Sequence, residues 1–170
     1  MKIIKEKNNF LYLKQDKIRR SIISNDKIYF LSFPEMIFRI EYSLRNSYEV
    51  NFITGFIYLN GKYFNMPLYN ISLTGNLCIG NWKPFNSLEE MKIFFEFNFW
   101  SRSFADCNFS KSMHMYQDRQ KLMSNLRLWE EKTKEDKNWV PSEEDLIEFN
   151  RENNYSCFHN LMKDCFENDN

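Results

Sequence analysis

A chain of 170 residues with 43% hydrophobic and 18% aromatic content can bury a real core and is too apolar for a disordered tail. Its 23 basic and 23 acidic residues cancel, which excludes the strong positive field that nucleic acid or an anionic membrane would demand. Seventeen Phe and nine Tyr stand against a single alanine, Ala105. Charge at Lys2, Lys5 and Glu6 breaks any secretory signal at the start. The longest apolar stretch, 93–100, is interrupted by Glu96 and Asn98 and is far too short to span a bilayer. A soluble, cytoplasmic protein is expected, with Cys78, Cys107, Cys157 and Cys165 as free thiols rather than a disulfide framework.

From residue 9 to 65 the chain reads as a run of strands. Segments 10–13, 18–23, 28–33, 37–42, 56–59 and 62–64 are short, aromatic or β-branched, and separated by polar turns. The basic cluster of Lys14, Lys17, Arg19 and Arg20 reads as a solvated hairpin turn. Asn25-Asp26 and Asn60-Gly61 are turn dipeptides, the second a strong two-residue hairpin signal. Such spacing predicts an antiparallel meander, which needs an apolar cover on one face. The cover begins at Ser87, where Ser87-Leu-Glu-Glu90 has the form of a capping box. A helix follows to about Trp100, with Met91, Phe94, Phe95 and Asn98 at helical spacing. Leu122, Leu126 and Trp129 mark a helical stripe within 116–137. After Pro141 a short helix starts at Ser142, capped by Asp145, with Leu146 and Phe149 turned inward. The expectation is an α+β fold, an antiparallel β-meander flanked by helices. Residues 1–112 would form the domain and 113–170 a helical extension, either completing the cover or serving as a partner-binding arm.

The chemistry concentrates between the last strand and the first helix. Asn70, Gly75 and Cys78 form a compact unit there: an amide, a turn glycine and a thiol flanked by Leu77 and Ile79. A cysteine reacts as its thiolate, and an ordinary thiol with a pKa of about 8.5 is only slightly ionised at neutral pH. No His or Lys stands beside Cys78, which does not suit a protease. Exchange between thioesters, being nearly isoenergetic, asks for access and orientation more than for a base. Against this stands a plainer reading, with Cys78 as a packed core residue and Asn70 bonded to its own turn. Asp106 either orients and deprotonates an incoming amine or is a surface loop acid. Tyr69 and Trp82 either wall the cysteine or serve as ordinary aromatic packing. His114 and His159 lack catalytic neighbours, and Cys157, His159 and Cys165 lack the paired spacing of a zinc site. No metal and no cofactor are expected.

Asn70, Gly75, Cys78 and Ile79 fall at the spacings of the active-site flap of ubiquitin-conjugating enzymes, with Leu68 and Tyr69 in place of the usual His-Pro and Trp82 nearer than usual. Pro67, Asn70, Ile71, Gly75, Leu77, Cys78, Ile79 and Gly80 resemble more closely the prokaryotic branch typified by PRTRC system protein B, conjugating-enzyme family D. Downstream, Phe94-Phe95, Ser101 or Ser103, Phe104 and Asn108 fit that pattern, and Asp106 takes the place of its His. The resemblance covers residues 34–109; the family's N-terminal helix has no counterpart. It implies a ubiquitin-like modifier carried as a thioester on Cys78 and passed to an amine. Asn70 would be the oxyanion donor, a role that stabilises the developing charge by roughly 3 kcal/mol. Implied partners are a ThiF-type activating enzyme and a ubiquitin-like protein, encoded on a plasmid or mobile element. Two other readings stand beside it: an inactive domain of the same fold serving as a binding or assembly module, and a phage or plasmid structural protein.

Overall fold

Asparagine makes the turns. In the computed structural model, which describes residues 1–72, 74–78, 80, 82–104, 117–119 and 121–149, Asn8, Asn9, Asn25, Asp26, Asn60 and Gly61 all have positive φ, between 46° and 78°. Two successive left-handed residues give the turn whose twist matches a hairpin. They join β1 (Lys2–Lys7) to β2 (Phe10–Gln15), β3 (Ile18–Ser24) to β4 (Lys27–Phe33), and β6 (Tyr48–Leu59) to β7 (Lys62–Phe64). β1 escapes the sequence pattern because a register shift between Ile3 and Lys5 breaks its alternation.

The strands do not form one meander. β5 (Met36–Leu44) pairs with β2 rather than β4, giving a five-stranded antiparallel sheet in the order β1-β2-β5-β6-β7. The intervening β3–β4 hairpin leaves it and forms a second sheet, in the order β4-β3-β8, where β8 (Ser103–Phe104) runs parallel to β3. Pro34 sits at the departure point and has no N–H to continue a ladder. Ile22, Leu31 and Phe33 of the hairpin are then buried in the same core as Leu11, Leu13, Phe38 and Ile53.

α1 (Leu88–Ser101) fills the space between the sheets. Ser87 Oγ accepts the Glu90 N–H at 3.1 Å, while the Glu90 carboxylate reaches back to the Asn86 N–H, one residue before the box expected. Met91, Phe95, Phe99 and Trp100 point inward. Phe95 and Phe99 meet Phe38 edge-on at 5.0 and 4.9 Å, and Trp100 meets Phe33 at 5.2 Å. Phe94, expected inside, is 38% exposed, and Asn98 is spent on the Phe94 carbonyl of its own helix.

α2 (Leu126–Glu135) closes the outer edge of β4. Thr133 Oγ1 accepts the Ser32 N–H at 3.0 Å, Glu130 Oε1 the Phe30 N–H at 2.8 Å, and Trp129 Nε1 donates to the Ser32 carbonyl at 2.9 Å. Trp129 is fully buried against Phe33. Helix 126–135 thus belongs to the same core as the strands. The short turn Glu143–Asp145 carries a reciprocal capping box with Ser142 and delivers Leu146 and Ile147 to the core. Residues 147–149 then pair along β7, with the Asn65 N–H on the Ile147 carbonyl and the Phe149 N–H on the Tyr63 carbonyl. No described helix is long and apolar enough to cross a membrane.

Candidate functional site

β6 is the longest strand, and β7 covers only its last residues, 57–59. The chain after Pro67 returns along the rest of that edge. The Gly55 N–H donates to the Gly75 carbonyl at 2.8 Å and the Leu77 N–H to the Ile53 carbonyl at 2.9 Å. Farther along, Tyr48 and Phe85 exchange both backbone bonds. The flap is therefore a graft on the sheet edge.

Its internal register is that of a small hairpin. The Cys78 N–H donates to the Asn70 carbonyl at 3.0 Å, Ile71 bridges Leu77, and the Ser72 N–H donates to the Asn76 carbonyl at 2.9 Å. Asn70 and Cys78 are thus directly opposite at the neck, and opposite residues present their side chains to one face. Ile71 and Leu77 take the inner face and are buried. Asn70 and Cys78 take the outer one and are partly exposed, the thiol being free. The tip is tied by the Gly75 N–H on the Ser72 carbonyl and by Ser72 Oγ accepting the Asn76 N–H.

The end of α1 holds the neck from outside. Asn70 Nδ2 donates to the Ser103 carbonyl at 3.0 Å, and Arg102 Nη1 donates to the Cys78 carbonyl. Ser103 is fixed in turn, because β8 pairs with β3 and Ser24 Oγ donates to the Phe104 carbonyl at 2.7 Å. Asn70 is therefore a flap anchor. Arg102 was not singled out in the sequence, although a basic residue closing the helix that follows a thiol flap is a signal that could have found it.

The remaining expected site residues are dispersed. Gly75, at φ +77°, supports the turn but lies on the Phe56 ring instead of beside the thiol. Tyr69 lines an open pocket of about 300 Å³ with Asn25 and Tyr29 of the β3–β4 hairpin, Arg127 of α2 and Asn125, which caps that helix. Neither Cys78 nor Asn70 lines that pocket. Trp82 packs on Phe85 at 6.0 Å and on Phe94 of α1 at 5.1 Å. Ile79 and Asp106 lie outside the described residues, as do Cys107, His114, Cys157, His159 and Cys165. Among the described residues, no group of three or more His, Cys, Asp or Glu is placed to hold a metal ion. Comparison with family models, curated proteins and solved structures finds no match.

Proposed function

We propose that this chain is a ubiquitin-like-protein conjugating enzyme with a ubiquitin-conjugating-enzyme-like fold, carrying its modifier as a thioester on Cys78 and transferring it to an amine. The observation that supports this most is the neck register: the thiol and the Asn70 side chain share one outward face, braced from the end of α1. The order of antiparallel strands, flap and helix agrees with the same reading. Loading would exchange one thioester for another: the Cys78 thiolate attacks the carbonyl of the activating enzyme's thioester and releases that enzyme's thiolate. Discharge would form an amide to the acceptor amine and return the Cys78 thiol. Partners under this reading are a ThiF-type activating enzyme and a small ubiquitin-like protein.

A binding or assembly module of the same fold is the second reading. It is favoured by the engagement of the Asn70 amide with Ser103. One experiment separates the two. Incubation with activating enzyme, modifier and ATP should give an adduct that reductant removes and that Cys78→Ala abolishes, with the fold intact because the thiol sits outside the core. Equal adduct from wild type and Cys78→Ala sinks the thioester mechanism, and no adduct from wild type favours the module.

A further inference from the structure

We propose that Arg102 is the positioning residue of Cys78 and that its guanidinium gives the thiol a cationic rim. This rests on the reading of Cys78 as an acyl-carrying thiol. Two consecutive residues at the end of α1 hold the two opposite residues of the flap neck, one each, through bonds of opposite sense. Arg102 donates into the flap at the Cys78 carbonyl, and the flap donates back from Asn70 to the Ser103 carbonyl. A single bond would leave the neck free to swivel; a crossed pair fixes where the face bearing residues 70 and 78 points.

The two sides of the clamp are unequal in rigidity. Next to Arg102, Phe99, Trp100 and Phe104 are buried, and the Arg102 N–H closes the helix on the Asn98 carbonyl at 3.2 Å. The flap side is a small hairpin resting on the edge of β6 through two backbone bonds. Loss of Arg102 therefore loosens the flap and leaves the helix in place. Guanidinium remains protonated at every working pH, and its planar fork suits a carbonyl oxygen better than an ammonium does. Because it docks on the carbonyl of the cysteine itself, its charge is held at the residue that bears the thiol rather than at a distant surface. An anionic electrophile, or an acyl donor bearing a carboxylate close to its reacting carbonyl, should approach Cys78 faster than a neutral one of the same size.

The test compares iodoacetate with iodoacetamide on the full native chain at low salt, with the Cys78 peptide followed by mass spectrometry. Arg102→Met should lower the iodoacetate-to-iodoacetamide rate ratio about threefold or more, a size suited to a partly exposed charge, and Arg102→Lys should retain most of it. A merely structural residue would alter both rates together and leave the ratio unchanged; an unchanged ratio in Arg102→Met overturns the proposal. Should that variant not fold, salt offers a second reading, since about 0.5 M added salt must lower the wild-type ratio by screening. A wild-type ratio insensitive to salt also overturns it. The assay needs no modifier, so it is independent of the conjugation reading. Failure of wild type to load sinks that reading while the ratio stands, whereas loading with an unchanged ratio sinks the Arg102 inference alone.

Discussion

Gly75→Ala probes the joint between flap and sheet. At φ +77° an L-residue incurs roughly 1–2 kcal/mol of backbone strain. The added Cβ would also lie 2.5 Å from Phe56 Cζ, 2.6 Å from Phe56 Cε1 and 3.0 Å from the Gly55 carbonyl oxygen. Phe56 cannot swing aside easily, being 1% exposed and packed edge-on against Phe149 at 5.0 Å. Overpacking of this kind costs about 1–3 kcal/mol. Keeping the native flap would therefore cost on the order of 2–5 kcal/mol.

Peeling the tip off β6 is the cheaper response. It gives up the Gly55–Gly75 and Leu77–Ile53 backbone bonds, about 1 kcal/mol each net, and part of the burial of Leu77. Global stability should then fall by only about 2–3 kcal/mol, while the damage is local. Amide exchange at Gly55 and Leu77 should accelerate on the order of thirtyfold, the factor for about 2 kcal/mol, with β2 and β5 amides quickened only in step with global unfolding. Phe56→Leu in the Gly75→Ala background should recover the steric share and leave the φ strain, so a double-mutant cycle divides the two. Unchanged Gly55 exchange together with an unchanged urea midpoint in Gly75→Ala would refute the reasoning.

Three other perturbations address the scaffold and the neck. Thr133→Val leaves the buried Ser32 N–H and hydroxyl without the oxygen they now share, and should cost about 2 kcal/mol in urea unfolding followed by tryptophan fluorescence, with Thr133→Ser losing less. Glu130 accepts the Phe30 N–H, and that bond chiefly, with Lys134 beside it, holds its carboxyl below the ordinary value of 4.5. A depressed pKa contributes stability above the unfolded value and loses it as pH falls through the folded one. Glu130→Gln should therefore destabilise by on the order of 1 kcal/mol at pH 7, and the difference should start to shrink as pH falls below 4.5 and vanish only below the lower, folded-state value. Asn70→Ala should still load modifier, because loading exchanges thioesters, yet discharge to amine about a hundredfold more slowly if the amide serves the oxyanion; unchanged discharge would leave Asn70 as an anchor alone.

The legible parts of the fold were those fixed by neighbours in sequence. Asn25-Asp26 and Asn60-Gly61 set their hairpins because both turn residues must be left-handed. Ser87 and Ser142 started their helical segments because an N-terminus must satisfy its own N–H groups. The illegible parts were decided between distant segments. Nothing local tells β5 to pair with β2 across the β3–β4 hairpin, since every strand from 10 to 44 is apolar enough to accept either neighbour. Phe94 failed as a core residue because α1 lies between two sheets, so its inward stripe is set by Phe33 and Phe38 and runs through Met91, Phe95 and Phe99. At the flap, the turn at Gly75 was visible as chemistry, whereas the grip of Arg102 on Cys78 depends on the helix ending where it does.

The exposure of Cys78 follows from edge closure. An uncovered β6 would present unpaired backbone groups to any other strand, and β7 is too short to cover them. The chain must therefore run back along the edge, and the returning segment must bury one of its two faces in the core. Ile71 and Leu77 meet that demand, and period-two alternation then turns residues 70 and 78 outward whatever they are. The sheet thus supplies an outward platform without any catalytic residue on it. What reactive function would add is the thiol at 78, the amide at 70 and the cation at 102, three positions that edge closure leaves unconstrained. Substituting Cys78 separates chemistry from scaffold, because the inner residues Ile71 and Leu77 continue to hold the flap on the sheet, whereas Asn70 and Arg102 also brace the neck.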